Sequence, residues 1–186
     1  MKKNIWIVIV ALVVIMCGYC WTTYNSLVKL GQGVETAWAN VETQYQRRAD
    51  LIPNLVSTVK GYAKHEQETL DQVVEARAKA LAGGANIEEY AAAQQNVTTA
   101  LGRLIAISEN YPDLKANQNF LELQAQLEGT ENRITVARKE FNEVTQAYNT
   151  QVRKFPANLV AMLFGFEQKP YFEADAAAAT APKVEF

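Results

Sequence analysis

The chain has 186 residues, with 18 basic and 20 acidic side chains, a net charge of −2 and 49% hydrophobic residues. That balance argues against nucleic acid as a partner, which needs a basic face, and against an electrostatic grip on anionic lipid. The one histidine, His65, has no cysteine near it in the body of the chain, so a conventional zinc site cannot be assembled.

The chain begins with a sharp split. Lys2 and Lys3 are followed by a run from Asn4 to Val28 without a charged side chain, and Lys29 ends it. Crossing the hydrocarbon core of a bilayer takes about 20 mostly apolar residues in a helix, and the run is long enough. Trp6 stands at one end and Tyr19, Trp21 and Tyr24 at the other, as expected of aromatic belts at the two membrane interfaces. A cleaved signal peptide would have an apolar core of about 7 to 15 residues and a small-x-small site, and neither is met. Acylation at Cys17 would call for a small residue before it, where Met16 stands. Cys17 and Cys20 form a C-x-x-C spacing but fall within the span, where they are expected to pack as small apolar residues. Membrane lipid is thus the first expected partner, reached through the anchor. Lys2 and Lys3 place the amino terminus in the cytoplasm and the body outside it.

Beyond the anchor about 160 residues remain, one domain of common size. Sixteen basic residues then face twenty acidic ones, a net of −4. Helix formers dominate, and no run with period-two alternation is bounded by turn residues. Leu27, Leu30, Val34, Trp38, Val41 and Tyr45 form one apolar stripe at spacings of three and four, continuing the anchor helix. At Arg47-Arg48-Ala49-Asp50-Leu51-Ile52-Pro53 two readings compete. Asp50 caps a new helix with Pro53 in its first turn, or one helix runs on with a kink at Pro53. The stripe through Tyr45, Arg48, Ile52 and Leu55 favours the kink. The compactness of a short-looped bundle favours a hairpin, and the expectation leans to the break.

Gly83-Gly84 ends the next helix. Asn86 and Glu89 then form a capping-box-like pair, opening a helix whose face holds Ile87, Tyr90, Val97, Leu101, Leu104, Ile105 and Ser108. It stops before Tyr111-Pro112. The last long helix is expected from about Asp113 to Lys154, about 60 Å at 1.5 Å per residue, with a stripe from Phe120 through Ile134 and Phe141 to Phe155. Gly129 inside it costs about 1 kcal/mol relative to alanine and is expected where a helix or a bulky side chain such as Trp38 or Tyr45 comes close. Pro156 stops this helix. Ala157–Phe166 is apolar on nearly all sides, either a cap over the open end of the bundle or a membrane-surface or partner-docking element. Leu159, Met162, Leu163, Phe164 and Phe166 are its candidate interface residues. The alanine-rich tail over 173–186 is expected to be disordered. The expected fold is all-α: a transmembrane helix over 1–24, then an antiparallel four-helix bundle of long, coiled-coil-like helices over 25–172.

No Walker loop, H-E-x-x-H, G-x-S-x-G or EF-hand loop is present. No catalytic, cofactor-binding or metal-binding residue is assigned, and no cofactor. Two polar clusters stand out, Arg47, Arg48 and Asp50, and Glu128, Thr130, Glu131, Asn132 and Arg133. Arg48 lies on the apolar stripe, where a charge is costly without a carboxylate partner. Glu131 or Glu128 can supply one. Arg47, Arg48, Asp50, Glu131 and Arg133 are therefore expected to form a structural polar network that pins helix register.

The segments Ala37–Glu42, Gln46–Val56 (QRRADLIPNLV), Val59–Glu66, Leu127–Ile134 (LEGTENRI), Val136–Arg138, Tyr148-Asn149, Arg153–Pro156 and Gly165-Phe166 resemble the bacterial LemA family, and the resemblance covers about Tyr24 to Phe172. It implies a single-pass membrane protein with four main helices, no settled activity, and no catalytic or cofactor residues to carry over. Family members are often described with the amino terminus outside the cell, against the charge count, which is kept here. The expected function is a membrane-anchored scaffold or adaptor of the bacterial cell envelope, in the cytoplasmic membrane, with a protein partner or a second copy of itself. The alternatives are an accessory subunit of a membrane enzyme such as an envelope peptidase, and an enzyme with an unrecognised site at the two polar clusters.

Overall fold

The structure is a computed structural model that describes residues 2–173, with side chains from Ile5 onward. The tail expected from residue 173 on lies, apart from Glu173 itself, outside the described residues. The described residues are mainly helical, with no strand among them: α1 Lys2–Tyr62, α2 Gln67–Ala82, α3 Ile87–Ser108, α4 Pro112–Lys115, α5 Gln118–Arg153 and α6 Ala157–Phe164.

The expected break near Pro53 is absent. Helix α1 runs through Pro53 and ends at Tyr62. A proline inside a helix lacks the N–H that would bond four residues back, which leaves the Ala49 carbonyl without its helical donor. Arg77 of α2 fills the gap, its Nε donating to the Ala49 oxygen at 2.8 Å. The turn falls instead at residues 63–66. The last helical bond is Ala63 N to Val59 O, after which Glu66 N turns back to Ala63 O. Bonds from far along the chain hold this turn: Tyr111 donates to the Glu66 carboxylate at 2.9 Å, and Asn117 donates to the Tyr62 hydroxyl at 2.9 Å.

The next boundaries follow local chemistry. Gly83 takes φ +77°, and a Cβ on Gly84 would stand 2.5 Å from the Tyr90 nitrogen, so both glycines are required. Asn86 caps α3, accepting from Glu89 N at 2.8 Å, while the Glu89 carboxylate takes the Ala85 N–H at 2.9 Å. The last long helix is shorter than expected at its start. Residues 112–115 form the separate turn α4, and α5 begins after Asn117, whose side chain accepts from Phe120 N at 3.0 Å. The expected close approach at Gly129 is not made: a Cβ there meets nothing within 4 Å. Phe155, expected on the apolar stripe, is exposed.

The described chain divides into two compact units, one of 2–39 with Glu140–Pro170, the other of Asn40–Lys139 with 171–173. In the first, α1 and the end of α5 pack antiparallel. A Cβ on Gly31 would lie 3.6 Å from the Tyr148 ring, one on Gly33 would lie 3.4 Å from Val144, and Trp38 meets Phe141 edge-on at 5.5 Å. Burial in this part of α1 starts late. Side chains 5–19 are all exposed, Cys20 is half-buried, and Thr23 and Leu27 are the first to be fully covered. In the second unit Ile52, Leu55, Val59, Val73, Leu104 and Phe120 belong to a hydrophobic core drawn from α1 to α5.

Candidate functional site

The polar centre of the second unit is built on Arg48. The helical period of α1 puts it in line with Tyr45, Ile52 and Leu55, facing the core, and it is 1% exposed. A guanidinium there must be met on every side. Its Nη1 donates to Thr98 Oγ1 at 2.8 Å and to Glu131 Oε2 at 2.9 Å. Its Nη2 donates to the Gln94 backbone oxygen at 2.9 Å and to Gln94 Oε1 at 2.8 Å. The Thr98 hydroxyl in turn donates a hydrogen bond to the Gln94 backbone oxygen at 3.3 Å. The guanidinium carbon also stands 5.1 Å from the centre of the Tyr45 ring, which meets Tyr90 edge-on at 5.6 Å.

The two phenols are held neutral. Burial pushes the Tyr90 phenol up to about 12, with the Glu42 charge adding to it. Burial also raises Tyr45, against the opposing pull of Arg138 and Arg48. Neither is a base near neutral pH. The charge of Arg48 is met by acceptors of its own unit, of which Thr98 is half-buried and Glu131, whose side chain is 47% exposed, reaches furthest into water.

Of the other residues picked out in the sequence, Arg47, Asp50 and Arg133 are exposed. Asp50 accepts from Gln46 at 2.8 Å, and Thr130 is buried with its hydroxyl donating to Gln126 O at 2.8 Å. Gln94 and Thr98 were not singled out in the sequence. The signal for Gln94 was present: it sits at helical spacing between Tyr90 and Val97, a polar residue on an apolar face. His65 is exposed in the turn after α1. Among the described residues no group of three or more His, Cys, Asp or Glu side chains stands together to hold a metal.

The second candidate is α6, in the first unit. Its eight residues sort into two faces, both apolar. Ala157, Val160 and Ala161 are buried, and Phe164 on the same side meets Tyr24 of α1 at 4.9 Å. Leu159, Met162 and Leu163 point the other way and are 56%, 78% and 75% exposed. Gly165, at φ +73°, ends the helix in the left-handed conformation that glycine favours, and half-buried Phe166 packs on Tyr24 at 5.6 Å. The segment beyond is strapped down by Asn149, a buried polar residue of α5. Its Nδ2 donates to Lys169 O and its Oδ1 accepts from Lys169 N, both at 2.8 Å. Lys169 Nζ also reaches Glu35 at 3.3 Å.

Helix α1 is long and apolar enough at its amino-terminal end to cross a membrane, and its most apolar stretch is wholly exposed. The family model described as the LemA family matches residues 37–186. Magnetosome protein MamQ of Magnetospirillum gryphiswaldense is 28% identical over 182 aligned positions, covering 84% of this chain and 67% of the relative. Magnetosome protein MamQ 2 of Paramagnetospirillum magneticum is 25% identical with the same coverage. Protein LemA of Metamycoplasma hominis is 22% identical over 150 positions, covering 81% of this chain and 68% of the relative.

Proposed function

The chain belongs to the LemA family, and from that premise we propose that it is a single-pass, membrane-anchored helical scaffold or adaptor of the bacterial cell envelope, without catalytic activity of its own. The observation that carries the reading is the change of character along α1. Fifteen consecutive side chains, 5–19, are exposed and mostly apolar, and packing begins only at Cys20 and Thr23. An apolar helix that nothing among the described residues covers needs lipid around it. On this reading residues 1–24 are the cytoplasmic tip and anchor in the cytoplasmic membrane. Residues 25–172 are a bundle of four main antiparallel helices on the extracytoplasmic side. The Arg48 network is its register pin: four hydrogen bonds to α3 and α5 fix how α1 is rotated and how far along it sits.

The absence of catalysis in this reading is supported by the engagement of Arg48 with internal partners and by phenols held neutral. A scaffold works by contact, so a partner protein or a second copy of the chain is part of the proposal. Cross-linking in intact cells, followed by extraction in mild detergent and mass measurement, tests it. A defined co-extracted partner or a self-assembly is expected. An isolated monomer under every cross-linking condition counts against the scaffold.

A further inference from the structure

We infer that α6 is a membrane-surface element, whose Leu159, Met162 and Leu163 face seats in the boundary between headgroups and acyl chains beside the α1 span. The inference rests on the reading of α1 as a membrane span and adds to it a second, independent point of lipid contact.

Four observations lead there. The first is that α6 is apolar on both faces and its own unit covers only one. Ala157, Val160 and Ala161 are buried, while Met162 and Leu163 are among the most exposed apolar side chains outside the amino-terminal run. The second is depth. Phe164 and Phe166 both pack edge-on against Tyr24, one turn beyond Trp21, which is itself 74% exposed. Tyr19, Trp21 and Tyr24 are the residue types that settle at the membrane–water boundary. The contact with Tyr24 therefore holds α6 at the level where the apolar run ends. The third is rigidity. Asn149 bonds both backbone groups of Lys169, so the chain after α6 is tied back onto α5 and the helix is not a loose end.

The fourth is the charge pattern. From Phe155 to Phe166 there is no charged residue, while Arg153 and Lys154 stand just before the run and Glu167 and Lys169 just after it. Charged residues flanking a short apolar helix suit one that lies along the interface with its ends in water. A second copy of the chain is a poorer occupant, since three side chains fall far short of the ~800 Å² per partner of a stable interface.

The test uses the full chain in a Cys17→Ala, Cys20→Ala background, reconstituted into phosphatidylcholine vesicles. Single cysteines carry an environment-sensitive fluorophore in three variants: Ile9→Cys in the span, Leu163→Cys on α6, and Val136→Cys on an exposed site of the other unit. Spin-labelled lipids with the quencher set shallow or deep report depth. Expected is blue-shifted emission at Leu163, quenched more strongly by the shallow label than by the deep one. Ile9 is quenched by the deep label, and Val136 keeps the emission of a dye in water. Leu163 with water-like emission while Ile9 is quenched overturns the α6 inference and leaves the anchor standing. Leu163 blue-shifted but unquenched by either lipid means that protein covers the face, and also overturns it. Quenching at Val136 equal to that at Leu163 reduces the contact to general adhesion. Ile9 unquenched removes the anchor reading, and the α6 inference with it.

Discussion

Arg48 and Met162 break the ordinary sorting of side chains in opposite directions. Arg48 is a charge buried to 1% exposure, and Met162 is an apolar side chain left 78% exposed. The buried charge is answered inside its own unit by Thr98, Glu131 and two oxygens of Gln94. Nothing among the described residues answers the exposed methionine. A polar group that finds all its partners at home serves stability. An apolar face that finds none there needs something else to cover it, because exposure to water carries a free-energy cost that scales with area. The two regions should therefore respond differently to substitution.

The largest effect is expected at Arg48. Arg48→Ala leaves buried Gln94 and half-buried Thr98 without their donor and is expected to cost about 3–5 kcal/mol, read as a fall in the melting temperature of the detergent-solubilised chain. Glu131→Gln is expected to cost below ~1 kcal/mol, because that carboxylate is half in water and its pairing is screened. Equal losses from the two variants would mean that the ion pair, and not the neutral acceptors, holds Arg48.

Next comes the repair at Pro53. Arg77→Ala leaves the Ala49 carbonyl unbonded and is expected to destabilise by about 1.5–3 kcal/mol, the range for a hydrogen bond to a charged group. In a Pro53→Ala background the new N–H bonds Ala49 within the helix, so the same Arg77 substitution should cost distinctly less. A double-mutant cycle in denaturant measures the difference, and perfect additivity would show that the two positions do not share that carbonyl.

Tyr90 gives a smaller, pH-dependent effect. Its phenol titrates near 10 when unfolded and at about 12 in the folded chain. The folded state thus favours the neutral form, and the contribution of Tyr90 is complete below pH 10. As the pH rises towards 12 the unfolded chain ionises first, and that contribution is lost. Tyr90→Phe should flatten the fall in stability across this window, measured against the unsubstituted chain. An unchanged slope would assign the alkaline loss to other groups. The smallest effect is expected on α6: Leu159→Gln, Met162→Gln and Leu163→Gln together should shift the stability of the solubilised chain by no more than about 0.5 kcal/mol per site, as for exposed positions. A loss on the scale of Arg48→Ala would mean that this face packs within the chain, and the contrast between the two regions would fail.

Legibility in the sequence followed the range of the interactions. The apolar run, the helical character of the chain, the Gly83-Gly84 stop and the Asn86 cap all depend on residues within a turn of one another. The place of Arg48 on an apolar stripe was readable by the same local rule, and Glu131 could be named as one of two carboxylates for it. Its other acceptors, Gln94 and Thr98, were not named, since a helix face tells which residues point inward and not which of them meet. The break near Pro53 was misjudged for a related reason. Proline normally costs a helix about 3 kcal/mol or more, and the side chain that offsets this here is Arg77, 28 positions after Ala49.

By itself, then, the sequence determined what each segment can be: an uncharged apolar helix at the start, amphipathic helices after it, and an apolar stub at the end. These follow from side-chain period and backbone chemistry, which act over three or four residues. Only the tertiary structure decided where α1 ends, which acceptors surround Arg48, and which side of α6 is left uncovered. Those depend on contacts between residues tens of positions apart, such as Arg48 with Glu131 and Tyr24 with Phe164, and a local pattern in one helix carries no record of which distant helix it will meet.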